Sequence, residues 1–140
     1  MRVLGIDYGT RRLGLAISDE DEIVANALPM LRRSRSLNRD LMALRSLIRD
    51  REIERVVVGL PLNMDGSRGD MARNAEAFAE ELRKRVRLPV MCFDERQTTQ
   101  EAECMLLEAD LSRKRRKELR DSLAATFILQ SYLDEQRAPQ

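Results

Sequence analysis

Arg2-Val3-Leu4-Gly5-Ile6-Asp7-Tyr8-Gly9-Thr10-Arg11-Arg12-Leu13-Gly14-Leu15-Ala16-Ile17-Ser18-Asp19 opens the chain with two apolar runs and one short polar connection. Residues 2–8 read as a strand bounded by Gly9. In residues 13–19, Leu13, Leu15 and Ile17 alternate onto one face, the period of a half-buried strand. A link as short as Gly9-Thr10-Arg11-Arg12 predicts a hairpin. Asp7 then stands at the carboxyl end of the first strand, the side on which open α/β sheets collect ligands.

Working outward, Asp19-Glu20-Asp21-Glu22 is a polar turn, and residues 22–31 are predicted as a third strand. Leu37, Leu41, Leu44 and Ile48 recur at helical spacing over residues 37–51. Residues 54–60 form a short, β-branched apolar run of the kind buried on both faces of a sheet, predicted to pair parallel to the first strand. A loop over 61–69 carries the turn signal Asp65-Gly66, and a helix over 70–86 turns Ala75, Phe78 and Leu82 inward. Residues 89–94 are the last strand. Thr98 and Glu101 make a capping box for a helix running to about residue 109. A basic linker, Arg113-Lys114-Arg115-Arg116-Lys117, precedes a final helix over 118–134. The order β-β-β-α-β-α-β-α-α predicts one α/β domain over 1–140. Its mixed five-stranded sheet joins a three-strand meander to parallel βαβ units, with helices on both faces.

The 140 residues contain no histidine, which excludes Ser-His, Cys-His and other imidazole-based mechanisms. Cys92 and Cys104 lack Cys-x-x-Cys spacing, so neither a thiolate zinc site nor a disulfide framework is expected. With a net charge of +1, any nucleic-acid-binding surface has to arise from local segregation of charge. No apolar run reaches membrane-spanning length and the start does not read as a secretory signal, so no membrane association and a cytoplasmic location are expected.

Three acidic positions are candidate catalytic groups. Asp7 ends the first strand, although aspartate also caps hairpin turns. Asp94-Glu95 ends the last strand, and because neighbouring strand residues face opposite ways, only one of the pair can face Asp7. Glu95 is preferred for its longer arm just past the strand end, with Asp94 as the rival. Asp121 heads an apolar stripe of Ala124/Ala125, Ile128 and Tyr132, and the alternative is an N-cap for a helix starting at Ser122. Asp7, Glu95 and Asp121 converging on one spot would repel without a cation, and oxygen-only ligation suits Mg²⁺ or Mn²⁺. A pair of ions about 4 Å apart would clamp an in-line phosphoryl displacement. Arg11, Arg12, Arg96 and the run Arg113, Lys114, Arg115, Arg116, Lys117 are candidate phosphate contacts. Aromatic content is only 4%, too little for a base-stacking platform, which favours recognition of shape and backbone.

With these segments in view, the chain resembles the YqgF family, also called RuvX, described as Holliday junction resolvases and as pre-16S ribosomal RNA nucleases. The resemblance rests on Gly5-Ile-Asp-Tyr-Gly-Thr-Arg-Arg-Leu-Gly14, Val57-Val-Gly-Leu-Pro-Leu-Asn-Met-Asp-Gly66, Asp94-Glu-Arg-Gln-Thr-Thr99 and Asp121-Ser-Leu-Ala-Ala-Thr-Phe-Ile-Leu-Gln130, in order along nearly the whole chain. It implies an RNase H-like fold, divalent-metal nuclease chemistry and a role in trimming the 5′ end of the small-subunit rRNA precursor. It also implies precursor rRNA or branched DNA as partner, within a pre-ribosomal particle, acting as monomer or homodimer. By matched motif, Asp7, the acid of Asp94-Glu95 and Asp121 take the catalytic role, with Arg96 beside them. Gln97 departs from the pattern, where an apolar residue is expected. Two other readings compete. A sugar kinase/actin-type phosphotransferase would need a second copy of the fold, and a non-catalytic nucleic-acid-binding module would need no metal.

Overall fold

The computed structural model describes residues 1–95 and 122–138. Its elements are β1 (Arg2–Asp7), β2 (Arg12–Ser18), β3 (Ala25–Arg32), α1 (Leu37–Asp50), β4 (Ile53–Leu60), α2 (Asp70–Val86), β5 (Val90–Asp94) and α3 (Leu123–Arg137). The capping box at Thr98 and Glu101, the basic run 113–117 and the predicted helix start at 118 lie outside the described residues.

The strands form one sheet in the order β3-β2-β1-β4-β5. β1 pairs antiparallel to β2 and β2 to β3, whereas β4 lies parallel to both β1 and β5. This is the predicted meander followed by βαβ crossovers. Because β1, β4 and β5 run the same way, their carboxyl ends share one rim with the β1–β2 turn and the end of β3. The starts of β1, β4 and β5 make the opposite rim.

Strand alternation divides the core. Leu4 and Ile6 of β1, Val56 and Val58 of β4, and Val90 of β5 pack with Leu41, Leu44, Phe78 and Leu82 from α1 and α2. The alternate residues Val3, Val57 and Phe93 pack with Ala125, Ile128, Leu129 and Tyr132 of α3. Helices therefore cover both faces, α1 and α2 on one and α3 on the other.

Local chemistry explains the boundaries. The Ser36 hydroxyl accepts from the Arg39 amide and caps α1. Asp19 Oδ1 accepts from the amides of Ile23 (2.7 Å) and Val24 (3.1 Å), so the acidic turn runs three residues further than expected and β3 begins only at Ala25. α2 covers the predicted span and ends at Arg87, whose φ of 56° is the left-handed conformation that closes many helices. α3 continues to Arg137, three residues past the predicted 134.

α3 is attached by polar as well as apolar contacts. Ser122, Thr126 and Gln130, spaced by one helical turn, are all buried. Ser122 Oγ accepts from the Leu15 amide (3.2 Å), and Thr126 Oγ1 donates back to the Ser122 carbonyl (2.8 Å). Gln130 accepts from the Ala25 amide (2.9 Å) and donates to the Ile23 carbonyl (2.8 Å), satisfying backbone groups at the start of β3. No described helix is long and apolar enough to cross a membrane.

Candidate active site

The parity that divides the core also sorts the acids. Val3 and Gly5 of β1 face α3, so Asp7, two residues on, continues that face at the rim. Phe93 of β5 also faces α3, and Glu95 follows it in phase, one residue past the strand end. Asp94, paired in register with Leu60, points to the other face. Glu95 is accordingly the acid that hydrogen-bonds Asp7.

β4 lies between the strands that carry these acids, and Gly59 makes the contact feasible. A Cβ at position 59 would stand 2.6 Å from Glu95 Oε1 and 2.5 Å from Ile128 Cδ1. Only a residue without a side chain lets Glu95 lean across β4. An isolated glycine inside a strand is a sequence signal of close approach, and Val56-Val57-Val58-Gly59-Leu60 carried it unread. Gly5 serves the same face differently: a Cβ there would lie 2.8 Å from Leu129 Cβ and 3.2 Å from the Ala125 carbonyl. Its lack of a side chain admits α3.

The electrostatics follow from this contact. Burial first, then the charge of Asp7 and the hydrogen bond with it, and then Asp94, push the Glu95 carboxyl up to about 7. Burial also raises Asp7, opposed by its hydrogen bond with Glu95. Two carboxyls so placed hold a proton between them near neutrality.

Asp121, the third expected acid, lies outside the described residues, as do Arg96, Arg113, Lys114, Arg115, Arg116 and Lys117. The next residue, Ser122, is the N-cap of α3, and its hydroxyl meets Leu15, the register partner of Ile6 beside Asp7. The described end of α3 thus reaches the strands that carry the acid pair. Among the described residues no three potential ligand groups cluster.

Arg11 in the β1–β2 turn and Arg12 at the start of β2 are exposed on the same rim as Asp7. A second feature there escaped the sequence. Arg33 Nε donates to Asp40 (3.1 Å), and its Nη1 donates to the Tyr8 hydroxyl (3.0 Å) and the Gly9 carbonyl (3.1 Å). The guanidinium also lies 5.1 Å from the Tyr8 ring centroid and 5.4 Å from that of Phe78. Asp40 is 3% exposed and further accepts from the Ser34 amide and hydroxyl. Burial raises its carboxyl, but the Ser34 bonds and Arg33 outweigh this and hold it below the ordinary value. The network ties the end of β3 and the start of α1 to the turn that follows Asp7. Within Arg32-Arg33-Ser34-Arg35 nothing local marks Arg33 as the one turned inward.

Comparison with known proteins agrees with this architecture. A family model described as "RuvX: Holliday junction resolvase" matches residues 1–135. A protein of Moorella thermoacetica named "Putative pre-16S rRNA nuclease" is 52% identical over 134 residues, covering 96% of this chain and 95% of that one. One of the same name from Myxococcus xanthus is 45% identical over 139 residues, covering 99% and 91%. The solved structure "T. thermophilus RuvC in complex with Holliday junction substrate" superposes with a TM-score of 0.65 over 96% of each chain at 18% identity, a likeness of fold.

Proposed function

The chain belongs to the RuvX family, and from that premise we propose that it is a metal-dependent endonuclease that hydrolyses phosphodiester bonds in structured nucleic acid, its substrate being the 5′ region of precursor 16S rRNA. The observation that carries the reading is the contact of Asp7 with Glu95 across Gly59. Bringing two carboxyls together where burial disfavours their charge is costly, and such pairs recur where charge is put to chemical use. The named relatives supply the choice of precursor rRNA.

The donor set fits a hard divalent cation, because both groups are carboxylates brought into contact where burial and like charge leave a positive charge to be supplied. Asp7 and Glu95, with Asp121 as the third expected ligand, would hold Mg²⁺ or Mn²⁺. Bound there, the metal supplies charge neutralisation at the phosphoryl group and activation of water. The chain's own residues do the rest. Without metal, Glu95, its carboxyl pushed up to about 7, holds a proton that a bound cation would displace. Arg11 and Arg12 neutralise phosphates along the rim, and the Arg33–Asp40 network fixes the turn that presents them.

Junction DNA is the second reading, favoured by the family model's description and by the substrate named for the RuvC structure. The deciding experiment offers the purified protein precursor-rRNA fragments and four-way DNA junctions, with Mg²⁺ or Mn²⁺ and with chelator. The proposal expects metal-dependent cutting of RNA that Asp7→Asn and Glu95→Gln abolish. Preferential cutting of junctions would transfer the assignment to DNA, and cutting that survives both substitutions would remove the acid pair from the chemistry.

A further inference from the structure

The rim opposite the acids gathers the carboxyl-terminal ends of α1 and α2. There a hollow of about 400 Å³ is lined by Arg45, Lys84, Arg85, Val86 and Arg87, four cations and no carboxylate. Arg49, one turn beyond Arg45 on α1, borders the adjoining groove of about 670 Å³. That groove is mixed in charge, with Glu20, Glu52 and Glu54 beside Arg2, so the wholly basic surface is the smaller hollow. Basic residues in a last helical turn are ordinary, since they offset the helix dipole. That accounts for Arg49, Lys84 and Arg85. It does not account for Arg45, inside α1, or for Arg87, past the end of α2.

The neighbours divide in the same way. Arg83 is engaged by Glu80 and the Val90 carbonyl, Lys84 lies 3.4 Å from Glu81, and Arg85 donates to Asn38. Arg45 and Arg87 are exposed and meet no carboxylate among the described residues. In a chain whose net charge is only +1, such segregation leaves a local positive field.

We propose that this hollow is a second phosphate-backbone site, which grips the nucleic acid at a distance from the bond to be cut. The inference rests on the nucleic-acid reading of the acid rim. β4, eight residues long, separates the two rims by about 25 Å at the usual rise per strand residue. That distance equals about seven steps of B-form DNA, and more of an A-form RNA duplex, so a substrate has to extend well beyond the scissile bond to engage both ends. Arginines recognise phosphate oxygens by shape and charge without reading bases, as suits a surface lined by arginines and lysine with no aromatic ring.

The test uses the full chain with Arg45→Gln and Arg87→Asn together. Glutamine keeps the helix, and asparagine tolerates the left-handed backbone of Arg87, so the thermal midpoint should not move. Binding to a duplex RNA of about 24 base pairs is followed by fluorescence anisotropy across a salt series, with chelator present to prevent cutting. The proposal expects affinity to fall about tenfold at low salt, and the slope of log affinity against log salt to shrink by about one to two. An unchanged slope and affinity would overturn the second site. Failure of the unmodified protein to bind RNA or DNA would instead overturn the nucleic-acid reading beneath it, so the two failures are distinguishable.

Discussion

Asp40 and Glu95 are both drawn out of water at the same end of the sheet, yet Asp40 is held below its ordinary value while Glu95 is pushed up to about 7. Asp40 is answered by Arg33 and by two donors from Ser34. Among the described residues, the charges that push Glu95 up are those of Asp7 and Asp94, both negative. One site is complete within the protein and serves architecture. On the proposed function a cation would answer the other, which is how a binding site for a cation differs from a structural ion pair.

The sharpest way to break this contrast is to neutralise each acid in turn. Asp7→Asn or Glu95→Gln should lower metal-dependent cleavage by about a thousandfold or more, roughly 4 kcal/mol of barrier. Both variants should stay folded, with melting temperatures at or above that of the parent because a like-charge contact is relieved. A large fall in melting temperature would make the pair structural. Asp40→Ala should do the reverse, costing about 3 kcal/mol in denaturant unfolding by leaving Arg33 uncompensated. A stability change under about 1 kcal/mol would show that the pair is not the anchor its geometry suggests.

The glycines sharpen the comparison at smaller scale. Gly5→Ala forces a methyl against Leu129 and the Ala125 carbonyl, and should cost about 2 kcal/mol of stability. Gly59→Ala meets the movable ends of the Glu95 and Ile128 side chains, so it should cost less stability than Gly5→Ala while impairing cleavage by displacing the acid. Comparing turnover of the two variants at a temperature where both are folded separates the effects.

The smallest effect is in the pH dependence. Asp7 and Glu95 hold protons more tightly in the folded chain than in the unfolded one. Without metal, the Glu95 contribution to stability is full below its ordinary 4.5 and is lost as pH rises through about 7. The Asp7 contribution is full below its ordinary 3.8 and is lost as pH rises through its raised value. Asp40, held low, has the opposite sign: its contribution is present above the ordinary 3.8 and is lost as pH falls through its depressed value. Thermal melts from pH 3 to 8 should show both flanks, and Mg²⁺ should flatten only the one toward neutral pH. A profile indifferent to Mg²⁺ would separate the acid pair from cation binding.

Much of this was legible before any coordinates. The period-two runs of β1 and β2 and the helical spacing of Leu41, Leu44 and Ile48 are local signals, and they yielded the meander, the parallel crossovers and the helices on both faces. Asp7 was legible because it ends such a run, and parity narrowed Asp94-Glu95 to a choice that residue numbering alone could have closed: Glu95 shares the phase of Phe93. What escaped is long-range. Arg33 finds Tyr8, Gly9, Phe78 and Asp40 from separate segments, and Gln130 pairs with a strand more than a hundred residues earlier. No periodicity within a window reports such partners. The turn at Asp19 was misjudged for a related reason, since its length depends on which amides the carboxylate captures.

The attachment of α3 carries a consequence for how the polypeptide can be divided. Ser122 grips the middle of β2, Gln130 grips the approach to β3, and Ala125 and Leu129 settle over Gly5. None of these contacts is made through residues 96–121. A protein nicked by protease in that span should keep its terminal helix bound through purification, and the two pieces, expressed separately, should reassemble into one particle.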